Sequence, residues 1–239
     1  MIKRQLLPHE DARLMSLLKT IVSDHASEFA KLLKESPALA LQPLRVGASR
    51  QDASDFFFEE IKHYLNAGDT ALHAAAAGYR VNMARTLIQQ GADVKAANRR
   101  GAQPLHYAAD GGPGSPHWNP RAQGEIIALL VSKGADPNAL DKSGVAPLHR
   151  AVRNRCLAAV DSLVRNGADI KLRNKSGSTA LHLAVQNTGK SGSGTPDAKD
   201  LQQKIIVRLL KAGADPQQRD GRGKTVLQCI QSEWIRALF

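Results

Sequence analysis

Four histidines recur along the sequence at intervals long enough to place one in each unit of a repeat. They are His73, His106, His149 and His182, spaced 33, 43 and 33 residues apart. Histidine is the commonest metal ligand, so such a series could form a row of metal sites. Units of a repeated helical fold pack roughly 8–10 Å apart, whereas a zinc–nitrogen bond is about 2.0–2.1 Å long. Neighbouring histidines therefore cannot share an ion, and the sequence predicts no metal site.

A second stretch, Gly221-Arg-Gly-Lys-Thr225, resembles the end of a phosphate-binding loop. That loop needs a further glycine five positions before Gly223, where this sequence has Gln218, and no strand precedes the stretch. The carboxylates are scattered, and no nucleophile, base and orienting group occur at a recognisable spacing. An enzyme is therefore the least favoured class of function, and we expect no cofactor.

A short motif that includes these histidines recurs five times. Its copies begin at glycines spaced 33, 43, 33 and 46 residues apart. The copies are Gly68-Asp-Thr-Ala-Leu-His73, Gly101-Ala-Gln-Pro-Leu-His106, Gly144-Val-Ala-Pro-Leu-His149, Gly177-Ser-Thr-Ala-Leu-His182 and Gly223-Lys-Thr-Val-Leu-Gln228. After a helical stretch, each of the first four is followed by Gly-Ala-Asp, at Gly91, Gly134, Gly167 and Gly213. A period of about 33 residues with a Thr-Pro-Leu-His core is typical of ankyrin repeats, so residues 68–239 resemble that family.

The resemblance implies an all-α solenoid of stacked helix pairs with hairpin-like tips. The repeats are expected at residues 68–100, 101–143, 144–176 and 177–222, with a terminal half repeat at 223–239. The resemblance also implies that the motif histidine is structural and bonds the threonine and backbone beside it. Pro104 and Pro147 follow Gln103 and Ala146, which are weaker helix caps than threonine. We expect those two repeats to be held mainly by stacking.

Residues 1–67 lack the motif and are predicted to form a helical N-terminal cap with a degenerate repeat. Two helices are expected between residues 10 and 35, because apolar residues recur there at three- and four-residue spacing. A further helix is expected over residues 55–68. Phe56, Phe57 and Phe58 could anchor a membrane or a partner, but we favour a place in the core.

Two repeats exceed the period by 10 and 13 residues, and both insertions fall between the inner and the outer helix. Loops of this length are often functional or disordered. The first insertion has three prolines, which stiffen a chain, so we expect Trp118 to pack on its own repeat or on the cap. Alternatively, this rim is a second contact surface with Trp118 as its anchor. The second insertion is Gly/Ser-rich from Gly189 to Gly194, which predicts flexibility.

The formal net charge is +11, and residues 1–67 contribute none of it. A basic surface attracts acidic proteins and other polyanions. In the ankyrin-repeat family, partners usually lie on the concave face, which the hairpin tips and inner helices form. The resemblance therefore implies a protein-interaction module, here for an acidic partner. The candidate contact residues are Arg99, Arg100, Tyr107, Asp110, Trp118, Lys142, Arg150, Arg153, Arg173, Lys175 and Arg222.

Two alternatives to this interpretation are open. The charged tip residues could be ordinary solvated side chains. The chain could also bind nucleic acid, although no nucleic-acid-binding motif occurs and exposed aromatic residues for base stacking are few.

The location of the protein is inferred from its cysteines and its hydropathy. Cys156 and Cys229 fall in different repeats, and two thiols without a paired framework favour a reducing compartment. The N-terminus lacks the apolar core of a signal peptide, and the sequence has no apolar stretch of about 18 residues. We therefore expect a cytoplasmic monomer that does not insert into a membrane.

Overall fold

The computed structural model describes residues 9–49, 53–187 and 194–239. These residues form twelve short α-helices and one small hairpin. The helices are α1 His9–Val22, α2 Ala26–Glu35, α3 Ala71–Ala77, α4 Val81–Gln89, α5 Pro104–Ala109, α6 Pro120–Ser132, α7 Pro147–Arg153, α8 Leu157–Arg165, α9 Ala180–Ala184, α10 Pro196–Lys211, α11 Val226–Cys229 and α12 Glu233–Arg236. The hairpin strands are β1 Phe57–Phe58 and β2 His63–Tyr64, which pair antiparallel.

The helices stack in two rows, as the all-α solenoid prediction requires. The inner row runs α1, α3, α5, α7, α9 and α11, and each inner helix contacts the next. The outer row contains α4, α6, α8 and α10, again in contact from one to the next. The core between them consists mainly of alanine, leucine and isoleucine. Small alanine side chains on the inner helices let adjacent units pack closely.

Each hairpin tip lies close against the following tip. The tip glycines Gly68, Gly101, Gly144 and Gly177 all have positive φ, between 67° and 89°. At Gly101 and Gly144, a Cβ atom would also lie only 2.9 Å from a backbone nitrogen of the next tip. These positions therefore need glycine both for backbone conformation and for close approach. The tips stack as a row beside the inner helices.

The outer helices end as the Gly-Ala-Asp motif predicts. After α4, Gly91 has φ 94°, and the Ala92 amide donates to the Leu87 carbonyl at 3.0 Å. This is the Schellman arrangement, in which a left-handed residue satisfies the last free carbonyls of a helix. Gly134, Gly167 and Gly213 have the same conformation.

The N-terminal cap agrees with the prediction in its first half. Helices α1 and α2 form the expected pair, and α1 stacks on α3. The buried Asp11 carboxylate accepts hydrogen bonds from the backbone amides of Arg45 and Val46, each at 3.2 Å. This contact fixes the segment that leads from the cap to the first repeat.

The predicted helix over residues 55–68 is wrong, and the cap is not entirely helical. Residues 54–56 form a short 3-10 helix, followed by the β1–β2 hairpin. The Leu65 amide donates to the Phe56 carbonyl at 2.9 Å and closes the base of this hairpin. Aromatic residues favour extended backbone, and Lys62 in the turn has φ 49°, which ends any helix. Phe56 is buried in the core, whereas Phe57 and Phe58 are half-buried.

Both insertions lie where the sequence places them, between an inner and an outer helix. The first joins α5 to α6, and the second joins α9 to α10. Residues 188–193, on which the expectation of a flexible Gly/Ser loop mainly falls, lie outside the described residues. No helix within the described ranges is long and apolar enough to cross a membrane.

Candidate partner-binding surface on the concave face

The four motif histidines fix the start of each inner helix, and three of them also bond the next repeat. His73 Nδ1 accepts a hydrogen bond from the Thr70 amide at 3.1 Å, and its Nε2 donates to the Ala102 carbonyl at 3.1 Å in the next repeat. His106 and His182 make the same two contacts, with carbonyl acceptors in the following repeat at Val145 and Lys224. His149 accepts from the Ala146 amide in the same way, but its Nε2 donates to the Leu172 carbonyl within its own repeat. The structural role predicted for these residues is confirmed.

Two repeats begin the inner helix without a threonine. The Gln103 amide donates to His106 Nδ1 and the Ala146 amide donates to His149 Nδ1, each at 3.1 Å. The imidazole therefore satisfies the amide of the cap residue in these repeats just as it does behind Thr70 and Thr179. Within the described ranges, no three His, Cys, Asp or Glu side chains are grouped closely enough to hold a metal ion.

The hairpin covers the concave face of the first two repeats. The His63 ring lies 4.2 Å from the Tyr107 ring, centroid to centroid, and its Nε2 is 3.2 Å from Asp110 Oδ2. Tyr107 is consequently only 1% exposed. The expectation that Tyr107 is available to a partner is therefore wrong, because a segment of the same chain lies over it.

Beneath the hairpin, Tyr107 belongs to a buried polar network around Asp69. The Tyr107 hydroxyl donates to Asp69 Oδ2 at 2.7 Å, and the Asn98 side chain donates to Asp69 Oδ1 at 2.8 Å. Asn66 and Asn98 each donate to the Tyr107 hydroxyl at 3.0 Å. These contacts join the first two tips to the inner helix α5. Tyr107 therefore stabilises the site rather than forming its surface.

Asp110, at the end of α5, is the centre of an ion cluster. One of its carboxylate oxygens is 2.9 Å from an Arg150 guanidinium nitrogen, and the other accepts from Asn154 at 2.9 Å. A second Arg150 nitrogen is 2.8 Å from Asp141 Oδ2. Burial alone would raise the pKa of Asp110, but the hydrogen bond from His63 and the charge of Arg150 hold that pKa below its ordinary value.

Arg150 therefore differs from the exposed arginine that the sequence led us to expect. Its side chain is 19% exposed and is held by two carboxylates, of which Asp141 is only 7% exposed. Arg153, one turn further along α7, is exposed. Arg150 fixes the wall of the concave face, whereas Arg153 is open to solvent.

Six of the candidate residues line a single open pocket on the concave face, with a volume of about 640 Å³. We call it the basic pocket. It is lined by Arg99, Arg100, Asp110, Asp141, Lys142, Ser143, Val145, Arg150, Arg153 and Asn154. Arg100, Lys142 and Arg153 are exposed, and none of the three has a carboxylate within 4 Å in the described part of the chain. The Arg99 guanidinium donates to the Ala48 carbonyl.

The other candidates lie outside the basic pocket. Arg173, Lys175 and Arg222 are exposed at the tips that follow. Trp118 is half-buried in the first insertion, and its Nε1 donates to Gln123 Oε1 at 2.9 Å on its own repeat. The predicted packing of Trp118 is confirmed.

Sequence reasoning missed several residues that shape this surface. His63 was assigned to a helix, and Asn154 and Asp141 were not considered. Gln123 was also missed, although its buried amide donates to the Ala108 and Asp110 carbonyls, each at 3.0 Å. Gln202 makes the equivalent contacts to Ala184 and Gln186 in the other enlarged repeat. A glutamine in the first half of each outer helix that follows a long loop was the available signal.

Stacked helix pairs with protruding tips and an open surface along the inner helices define a helical repeat solenoid of the kind that binds other molecules. A family model that describes ankyrin repeats in sets of three copies matches residues 50–115 and 121–220. The chain therefore belongs to the ankyrin-repeat family, whose repeats are generally protein–protein interaction modules. No curated protein matches the chain.

Proposed function

We propose that this chain is a non-catalytic interaction module that binds an acidic segment of another protein in its basic pocket. The observation that carries the proposal is the group Arg100, Lys142 and Arg153. These three exposed cations line one pocket, and none pairs with a carboxylate among the residues that the structure describes. Five cationic and two anionic side chains line that pocket. Complementary charge of this kind steers an acidic partner and fixes its register.

Arg150 has a supporting part in this proposal. Its charge is already balanced by Asp110 and Asp141, so it offers little net attraction to a partner. The ion cluster instead holds the pocket wall in one geometry, which reduces the ordering cost of binding. We propose Arg173, Lys175 and Arg222 as an extension of the same surface along the later tips. We also propose that the protein is monomeric and cytoplasmic.

The proposal predicts which peptides the protein selects from a random library. Twelve-residue peptides displayed on phage should be enriched in Asp and Glu after selection on the wild-type chain. The double variant Arg100→Glu plus Arg153→Glu should bind the selected peptides at least about tenfold more weakly, because opposed charges are introduced at the pocket. Fluorescence anisotropy with labelled synthetic peptides measures the change. Both positions are exposed, so the melting temperature should stay close to wild type.

A charge-matched control separates pocket binding from general attraction. Arg85 and Arg165 are exposed on the outer helices α4 and α8, and their double reversal changes net charge by the same amount. An equal loss of affinity in this control would overturn the proposal in favour of diffuse electrostatics. Tighter binding of a single-stranded DNA 20-mer than of any peptide, with the same dependence on Arg100 and Arg153, would replace the partner class by nucleic acid.

A further inference from the structure

A second cavity adjoins the basic pocket and has a different character. Its volume is about 240 Å³, below the roughly 300–1,000 Å³ of sites that hold a whole small molecule. It has the size for one side chain of a bound partner. Its lining residues come from the β1–β2 turn, the end of α3, the first insertion and the turn that follows α7.

The β1–β2 turn and the first insertion form two sides of this cavity. The β1–β2 turn contributes Ile61, which packs on the end of α3: a Cβ atom at Gly78 would lie 3.0 Å from Ile61 Cγ2. The first insertion contributes Trp118, held by its hydrogen bond to Gln123. The cavity is thus bounded by the β1–β2 turn on one side and by the first insertion on the other.

The polar groups at the base of the cavity already have partners inside the protein. Asp110 is bonded by Arg150, Asn154 and His63, and the Tyr79 hydroxyl donates to the Asp110 carbonyl at 2.7 Å. An apolar group in the cavity therefore leaves Asp110 and Tyr79 with the partners that they already have, and avoids the cost of stranding those polar atoms. The apolar part of the lining comes from Ile61, Ala77 and Trp118, and the polar side chains of Glu60, Lys62, Ser115 and His117 also line the cavity.

The cavity and the basic pocket are adjacent. Asp110 and Asn154 line both of them, so a partner segment that passes over this pair of residues reaches both sites. An extended peptide advances about 3.3 Å per residue, so residues a short distance apart in a partner can occupy the two sites together.

We infer that the partner segment is bipartite: one bulky apolar side chain enters the cavity between the β1–β2 turn and Trp118, and acidic residues within about five positions occupy the basic pocket. This inference rests on the proposed function and specifies its partner. The apolar side chain supplies an anchor in a preformed pocket, and the acidic residues set the direction of the segment.

The test uses Gly112, a lining residue that can accept a side chain without strain. A Cβ atom there meets only Ser115 Cβ at 3.4 Å, an ordinary contact, and no positive φ is involved. Gly112→Leu should obstruct the cavity and weaken binding of the selected acidic peptides at least about tenfold in the anisotropy assay. Gln89→Leu, which adds the same side chain at an exposed position of α4, should not change binding.

The peptides provide a test that does not depend on how Gly112→Leu folds. Peptides selected on the wild-type chain should share a bulky apolar residue near their acidic residues, and replacing it by alanine should weaken binding by a similar factor. Selected acidic peptides that lack a bulky apolar residue would overturn the inference while leaving the basic pocket as the binding site. The same conclusion would follow if neither Gly112→Leu in the protein nor the alanine replacement in the peptide changed the binding affinity. Failure to select acidic peptides at all would overturn the proposed function itself.

Discussion

Replacing Arg150 by methionine should lower the free energy of unfolding by about 3 kcal/mol, a large effect for a residue at a binding surface. The substitution keeps a long side chain but removes the cation between Asp110 and Asp141. Those carboxylates are 20% and 7% exposed, so water replaces the lost partner poorly. Breaking a buried ion pair from one side typically costs about 3–5 kcal/mol because a charge is left uncompensated. Urea denaturation at neutral pH measures the change.

Arg153→Met is the matched control for this prediction. Arg153 lies on the same helix, loses the same charge and is exposed, so its effect should stay within about 0.5 kcal/mol. Combining Arg150→Met with Asp110→Asn should recover part of the stability, since one of the stranded charges is then removed. Equal small losses for the two arginine variants would show that the ion cluster behaves as a surface salt bridge, worth little.

The contrast between these two arginines also separates stability from binding. A loss of partner affinity in Arg150→Met would be ambiguous, because the pocket wall is expected to loosen. A loss of partner affinity in Arg153→Met would point to binding alone, because the contacts of Arg150 with Asp110 and Asp141 remain in that variant. The functional test therefore uses Arg100 and Arg153, which carry the exposed charge, and leaves Arg150 in place.

The repeated motif made much of this fold predictable from sequence. Each of the first four copies specifies a tip glycine, a helix start and a histidine that bonds nearby backbone, and these are local requirements with a fixed spacing. The helix stack, the tips with positive φ and the structural role of His73 follow directly. The positions of both insertions follow from the two motif spacings, 43 and 46 residues, that exceed the 33-residue period.

The site itself was predictable only in part, because it depends on contacts between distant residues. The side chains of Asp110 and Arg150 meet through stacking of α5 on α7, and the sequence shows two charges without showing their distance. The hairpin was missed for a related reason. Phe57, Ile61 and Leu65 recur every four residues and imitate a helix, yet His63 finds its partners on Tyr107 and Asp110 in the second repeat. Tertiary contacts decided the conformation of that segment.

The free energy of unfolding should fall as the pH drops from about 6.5 to 4.5, and buried motif histidines should cause much of the fall. Burial, followed by the nearby charge of Arg150, lowers the pKa of His106 to about 4 despite the opposing effects of the Val145 carbonyl and two aspartates. Burial likewise lowers the pKa of His73 and of His149. An unfolded histidine binds its proton near pH 6.5. Between pH 6.5 and about 4, the unfolded chain therefore holds more protons than the folded chain, and the unfolded state is stabilised relative to the folded state. For His106 alone, the full effect at pH 4 is on the order of 3 kcal/mol.

The variant His106→Gln should make this dependence shallower, and the chain itself shows why glutamine is a suitable replacement. In the terminal half repeat, Gln228 occupies the histidine position, and its Oε1 accepts from the Thr225 amide at 2.9 Å. Glutamine at 106 can therefore retain the helix cap while removing the titrating group. At neutral pH the variant should lose about 1 kcal/mol of the free energy of unfolding, the usual contribution of a hydrogen bond such as that to the Val145 carbonyl.

The aspartates Asp110 and Asp141 have pKa values below the ordinary one, so their contribution to stability is lost only at lower pH. Urea denaturation at steps from pH 7 to 4.5 tests the prediction, and parallel slopes for wild type and variant would show that His106 is not a source of the acid sensitivity.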